Sequence, residues 1–193
     1  MTSRENVVAH LERLARLIQS DAHDAGLRPT QWEALRYLAR ANRFSRSPSA
    51  VTAYLGMTKG TVSQTLMALE RKGLIGKKEL AVDRRVVTLQ ITAKGKRTLE
   101  KDPLARVEAA VGKLKASETE RLEEGLQAVL TRLLRDRDGR AFGACKTCRH
   151  FGLAPKPATS GLASNAPFWC GLLEEPLSQD DSEQICVEQE DAA

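Results

Sequence analysis

Between Pro48 and Gly73 the chain fits two amphipathic helical patterns end to end, and that crowding restricts the possible folds more than any other feature. Pro48 suits a first helical turn, Val51, Tyr54 and Leu55 give a short apolar face, and Gly56 stops the helix. Thr58 can cap a second helix by accepting backbone N–H bonds, and Val62, Leu66 and Leu69 form its buried stripe as far as Gly73. The unit is a helix, a short turn and a helix.

The flanking patterns set this unit in a mainly helical body. From Arg4 to Asp21, Val7, Leu11, Leu14 and Ile18 recur at helical spacing, and Val8 and Ala15 widen the stripe. Gly26 ends it. Pro29-Thr30 opens a helix through about Ala41 with Trp32, Leu35 and Leu38 turned inward, and Asn42 to Ser47 reads as a loop. Beyond Leu74-Ile75, KKEL and RVVTLQI read as the arms of a hairpin around AVDR. Thr92-Ala93-Lys94-Gly95 starts a further helical region, interrupted near Asp102-Pro103 and continued by Val107, Val111 and Leu114. Ser117-x-x-Glu120 predicts the capping box of a last helix whose broad apolar face runs from Leu122 to Leu134.

Charge divides the chain. Residues 141–193 hold 3 Lys+Arg against 8 Asp+Glu, leaving 27 and 17 for residues 1–140, and all four cysteines lie in the acidic part. A basic body suits a polyanion, nucleic acid above all. The longest uncharged run, Pro157 to Leu173, is broken by prolines and polar residues, so nothing reaches the roughly 20 apolar residues of a membrane helix. The start, MTSRENVVAH, has no signal-peptide apolar region. A cytoplasmic protein without resting disulfides is the expectation.

A helix that enters the major groove needs one apolar face against the body and a small, polar opposite face. At 100° per residue, Gly60, Ser63, Gln64, Met67 and Arg71 fall away from Val62, Leu66 and Leu69. Gly60 lets backbone approach DNA, Gln64 can bond an adenine edge in two places, and Lys59, Thr61 and Arg71 suit phosphates or bases. The hairpin adds Lys77 and Lys78 on one arm and Arg84-Arg85 at its tip, where Asp83 can orient an arginine.

On these residues, MTKGTVSQTLMALERKGLI followed by VDRRVVTLQITAKG, the chain resembles the MarR family of winged-helix regulators over roughly residues 3–137. The resemblance implies a winged helix-turn-helix, mainly α with a small β-hairpin wing, dimerised through its terminal helices, here Val7 to Ile18 and Leu122 to Leu134. It implies a homodimeric transcription factor on double-stranded DNA, and two-fold symmetry then predicts a pseudo-palindromic operator. Members commonly bind small phenolic or anionic effectors between the DNA-binding lobe and the dimer helices, or sense oxidants through cysteine. Residues 1–140 contain no cysteine, while His10, His23 and Trp32 are candidate pocket residues.

An irregular, cysteine-rich tail, residues 141–193, departs from that family. Cys145, Cys148, Cys170 and Cys186 are spaced C-x2-C-x21-C-x15-C, a soft four-ligand set in a stretch with little apolar pattern of its own. The expected occupant is an iron–sulfur cluster, with zinc the alternative and a reversible disulfide a third reading. Zinc is the commonest metal of Cys₄ sites, but the unpaired Cys170 and Cys186 suit a cluster at least as well. Phe142, Phe151, Phe168 and Trp169 are placed to screen such a centre from water, and His150 to act as a ligand or a hydrogen-bond partner. CKTCRHF, FWCGLL and ICVEQ also look like the extensions of cluster-binding proteins. The expected function is a DNA-binding regulator modulated through this centre, not an enzyme. The alternatives are a regulator with a zinc tail answering to a small aromatic or anionic ligand and, more remotely, a thiol oxidoreductase using Cys145-Lys-Thr-Cys148.

Overall fold

The core forms where the helical stripes face the hairpin. The computed structural model describes residues 2–24, 26–79, 87–137, 139–154 and 166–191. Helices α1 (Ser3–Asp24), α2 (Pro29–Arg40), α3 (Pro48–Leu55) and α4 (Lys59–Arg71) precede an antiparallel pair, β1 (Ile75–Glu79) and β2 (Val87–Ile91). α5 (Ala93–Leu99), α6 (Ala105–Val111) and the long α7 (Ala116–Arg135) follow. Trp32, Leu35, Leu38, Val62, Leu69 and Leu89 are withdrawn from solvent in one cluster. Each such side chain contributes about 1.5–3 kcal/mol of burial. The Trp32 indole N–H donates to the Ala22 carbonyl at 3.1 Å, which anchors α1 to α2 inside the apolar contact.

Local chemistry sets the joints. Ser47 caps α3 by accepting from the Ala50 N–H at 3.1 Å. Gly56 ends that helix at φ +61°, a left-handed conformation that costs glycine little and turns the chain directly into α4. Gly95 answers a different need, because a Cβ there would run into the Leu74 carbonyl oxygen. The break at Asp102-Pro103 is held by Arg36, whose guanidinium bonds both Asp102 oxygens at 2.6 and 2.8 Å while the Leu104 N–H donates to the same carboxylate. Burial raises the Asp102 pKa, but these bonds and the Arg36 charge outweigh it and leave the carboxyl below its ordinary value.

Two boundaries differ from the sequence pattern. The last helix starts at Ala116, because Glu118 reaches back to the Lys115 N–H at 2.9 Å; the box expected from Ser117 and Glu120 lies inside the helix. The hairpin arms pair Ile75 with Ile91, Lys77 with Leu89 and Glu79 with Val87, so β1 begins two residues before the KKEL run. α1 and α7 leave Val7, Leu14, Leu122, Leu126, Leu130 and Leu133 exposed. Among the described residues no helix is long and apolar enough to cross a membrane.

The extension is more ordered than its composition suggests. A 3-10 turn, Cys145–Thr147, leads into strands β3 (Phe151–Leu153), β4 (Phe168–Cys170) and β5 (Glu175–Leu177), an antiparallel sheet in that order, and then α8 (Gln179–Glu183). It docks on the loop between α2 and α3. The Asn42 N–H donates to the Ile185 carbonyl at 2.9 Å, the Ile185 N–H donates to the Arg40 carbonyl at 2.8 Å, and the Ile185 side chain joins the main core. Arg43 bonds the Pro176 carbonyl at 2.6 Å and Asp181 at 3.4 Å, its guanidinium lying 4.4 Å from the centre of the Phe44 ring. Phe142 does not screen the cysteines. Its ring meets Tyr37 and Tyr54 edge-on at 5.9 and 5.2 Å, because a positive φ of 56° turns it toward the helical body.

Candidate DNA interface and four-cysteine site

α4 presents the two faces that groove reading requires. Val62, Thr65, Leu66 and Leu69 are buried, while Lys59, Gly60, Thr61, Ser63, Gln64, Met67 and Arg71 are exposed. Thr58 accepts from the Thr61 N–H at 3.3 Å, and its hydroxyl lies 3.0 Å from that of Thr61, which fixes the first turn. Lys77 stands on the wing face toward α4 and pairs with Glu70 at 2.6 Å, so part of its charge is already neutralised. Lys78 is exposed on the same strand. Together α3, α4 and β1 border a cleft of about 240 Å³ that includes Ser49, Thr52, Lys59, Ser63, Met67 and Lys77. Arg84 and Arg85, with Asp83, lie outside the described residues.

The candidate effector residues separate. His10 and His23 are exposed on α1, whereas Trp32 is buried with its N–H bonded to Ala22. Trp32 also borders an open cleft of about 370 Å³ with Lys94, Arg97, Thr98, Glu100 and Lys101.

The four cysteines converge, although 41 residues of sequence separate Cys145 from Cys186. All four line a single small cavity of about 10 Å³, together with His150, Phe151, Leu172, Leu177 and Glu188. Cys145 sits on the 3-10 turn, Cys170 ends β4 opposite Phe151, and Cys186 follows the strand-like bridge at Ile185. Phe151 and Phe168 stack at 4.8 Å beside them. Cys145 and Cys186 are buried and all four are free thiols. Among the described residues no three His, Cys, Asp or Glu side chains stand at ready-made metal-coordinating geometry. Coordination here would require the thiols to lose their protons and draw in around an ion.

Their electrostatics are unequal. The Cys186 thiol is lowered to about 6, chiefly by the hydrogen bond it receives from Cys145; burial opposes this, and the Glu188 N–H and the Asn42 and Ser45 side chains add to the lowering. Cys145 is pushed upward by that same bond and by its burial. The two sulfurs are coupled through that shared hydrogen bond. His150 turns its Nε2 toward Glu190 at 3.7 Å at the edge of this cavity. The sequence pattern missed Asn42. Its Nδ2 donates to Cys145 Sγ at 3.1 Å across 103 residues, and within the Asn42–Ser47 loop no periodicity or motif marks it.

Helices α2, α3 and α4, with a two-stranded ribbon beside them, form a winged helix-turn-helix fold. Residues 25–86 match the MarR family model, so this segment of the chain is similar to that family. FabT of Streptococcus pneumoniae, solved in complex with DNA, is 26% identical with a TM-score of 0.56, covering 69% of this chain and 99% of its own. A MepR mutant of Staphylococcus aureus is 23% identical at TM-score 0.56, with the same coverages, and BldR of Sulfolobus solfataricus 21% at 0.51, covering 68% and 99%. These solved chains are almost fully used by about two-thirds of this one. No curated protein matches the sequence.

Proposed function

We propose that the chain is a homodimeric, operator-binding transcriptional regulator whose DNA binding is modulated by a metal centre on Cys145, Cys148, Cys170 and Cys186. The observation that carries this reading is the convergence of four thiols, distant in sequence, on one cavity beside the helix-turn-helix. Lys59, Gly60, Thr61, Ser63, Gln64 and Arg71 read the groove, and Lys77 with Arg84 and Arg85 engages the backbone. Exposed leucines on α1 and α7 give the dimer its contact, a burial that isolated helices cannot supply. Solved DNA complexes of MepR and FabT support the DNA assignment.

An iron–sulfur cluster and a single zinc ion are the two occupants to separate. Four thiolates with N–H donors suit either one. Iron, acid-labile sulfide and zinc assays on anaerobically purified protein decide it. Stoichiometric iron and sulfide with a bleachable visible band establish a cluster, and stoichiometric zinc without colour establishes the ion. Protein that binds neither, with operator affinity indifferent to chelation, refutes the modulation. The cleft beside Trp32, with Lys94, Arg97 and Lys101, favours the second reading in which an aromatic anion is the effector.

A further inference from the structure

We infer that the Asn42–Ser47 loop is the outer layer of the four-cysteine site and the element through which occupancy of that site reaches helix α3 and the wing. The inference rests on the metal reading of the cysteines and goes beyond it by naming residues of the winged helix that act on the sulfurs.

Asn42 is fully buried, its Nδ2 bonds Cys145 Sγ at 3.1 Å, and its Oδ1 has no partner among the described residues. A buried amide oxygen left unpaired costs about 1–3 kcal/mol, and the flipped amide would leave its N–H groups unpaired instead. An amide N–H aimed at sulfur is the contact that stabilises a thiolate or metal-bound sulfur. Ser45 is buried beside it. Its hydroxyl accepts from the Val187 N–H at 2.9 Å, the residue after Cys186, and its carbonyl accepts the Tyr37 hydroxyl at 2.8 Å. Hydrogen bonds to metal-bound sulfur set the electron donation of that sulfur, and two such donors here come from outside the extension.

The same loop is tied to the DNA-reading parts. The Leu89 N–H of β2 donates to the Arg46 carbonyl at 2.7 Å, Arg46 Nε donates to the Ala41 carbonyl at 2.9 Å, and Ser47 is the cap of α3. Six residues therefore connect a sulfur ligand to the first helix of the helix-turn-helix and to the wing. An ion that draws Cys145 and Cys186 inward must pull on Asn42 and Ser45, because those side chains are already bonded there. This path differs from one through α7, the helix that leads into the extension.

Cobalt(II) is the probe, since its thiolate charge-transfer band reports the sulfurs directly whatever the native metal. Reduced full-length protein, Asn42→Ala, Asn42→Asp and Ser45→Ala are titrated with cobalt(II), with circular dichroism to certify the fold. The expected result for Asn42→Ala is about 10–100-fold weaker cobalt(II) binding and a charge-transfer band moved to lower energy, as the sulfur regains the density its N–H partner held. A smaller displacement is expected for Ser45→Ala, which carries the test if Asn42→Ala does not fold. In the second arm, affinity for the duplex that the chain selects from a random pool is measured with and without cobalt(II). The unsubstituted chain should change its affinity about fivefold or more, and the cobalt-loaded Asn42→Ala protein should have lost that change. No cobalt(II) binding by the unsubstituted chain overturns the metal reading and this inference together. Normal binding with unmoved bands in the folded variants, or DNA affinity indifferent to cobalt(II), overturns the inference alone.

Discussion

The helical body and the extension are held together by different chemistry. The body closes over large apolar side chains delivered by α2, α3, α4 and both strands of the wing, with Trp32, Leu35 and Leu69 at its centre. In the extension the buried cluster is Cys145, Leu177 and Cys186, with Phe44, Phe151, Phe168 and Cys170 against it. One buried leucine and two buried cysteines, with three phenylalanines and Cys170 only partly covered against them, cannot offset the conformational entropy of ordering such a segment. Docking on the α2–α3 loop and the chemistry of the thiols must supply the difference. One region is specified by periodicity and the other by reactive groups and a surface to lie on.

Removing the reactive groups should break the comparison most visibly. Cys145→Ser with Cys186→Ser is expected to abolish hydrogen-exchange protection in residues 139–154 and 166–191 while the amides of α2 and α4 stay protected. Uniform loss of protection in both regions would mean that they share one source of stability. Leu69→Ala tests the opposite region, with an expected cost of about 2–5 kcal/mol in chemical denaturation at a site where solvent does not reach. Gly95→Ala should cost about 1–3 kcal/mol, because its methyl meets the Leu74 carbonyl.

Asp102→Asn should cost about 1–2 kcal/mol at neutral pH by weakening the fork from Arg36. Its sign with pH follows from the lowered carboxyl. The stability that Asp102 adds is fully present above the ordinary aspartate value and is lost as pH falls through its depressed folded value. Denaturation curves of the two proteins should therefore converge in acid, and a gap constant from pH 7 to pH 2 would contradict the assignment. Smallest in stability is Gln64→Ala, expected to leave unfolding unchanged within about 0.5 kcal/mol. It should relax base choice at one operator position by about 1–3 kcal/mol, read by competition among single-base variants of the selected duplex.

The legibility of the two regions follows the same division. Val62, Leu66 and Leu69 at helical spacing, with Thr58 before them and Gly73 after, made α4 and its exposed face readable, since a 3.6-residue period converts directly to sides of a helix. Where capping groups compete, the pattern erred by a turn fraction: Glu118 was nearer than Glu120 to a free backbone N–H. In the extension, strands of three residues are too short to show alternation, so β3, β4 and β5 left no pattern to read. Cysteine spacing flagged the four thiols as a set, but the loop that receives them could not be found. Asn42 and Ser45 look like any polar loop residues until a partner more than 100 residues away is beside them. Phe142 was assigned to the wrong core for a related reason, because proximity in sequence to Cys145 says nothing about which way a left-handed residue turns.

The bond from Val187 to Ser45 closes a loop of 142 residues, and Ile185 fills a place in the main core beside α2. During synthesis the helix-turn-helix is fully exposed to the cell long before those residues leave the ribosome. A nascent chain halted short of Ile185 would carry a complete reading helix next to an unfinished α2–α3 loop. The linkage thus makes the seating of the α2–α3 loop, from which α3 starts, depend on residues far along the chain.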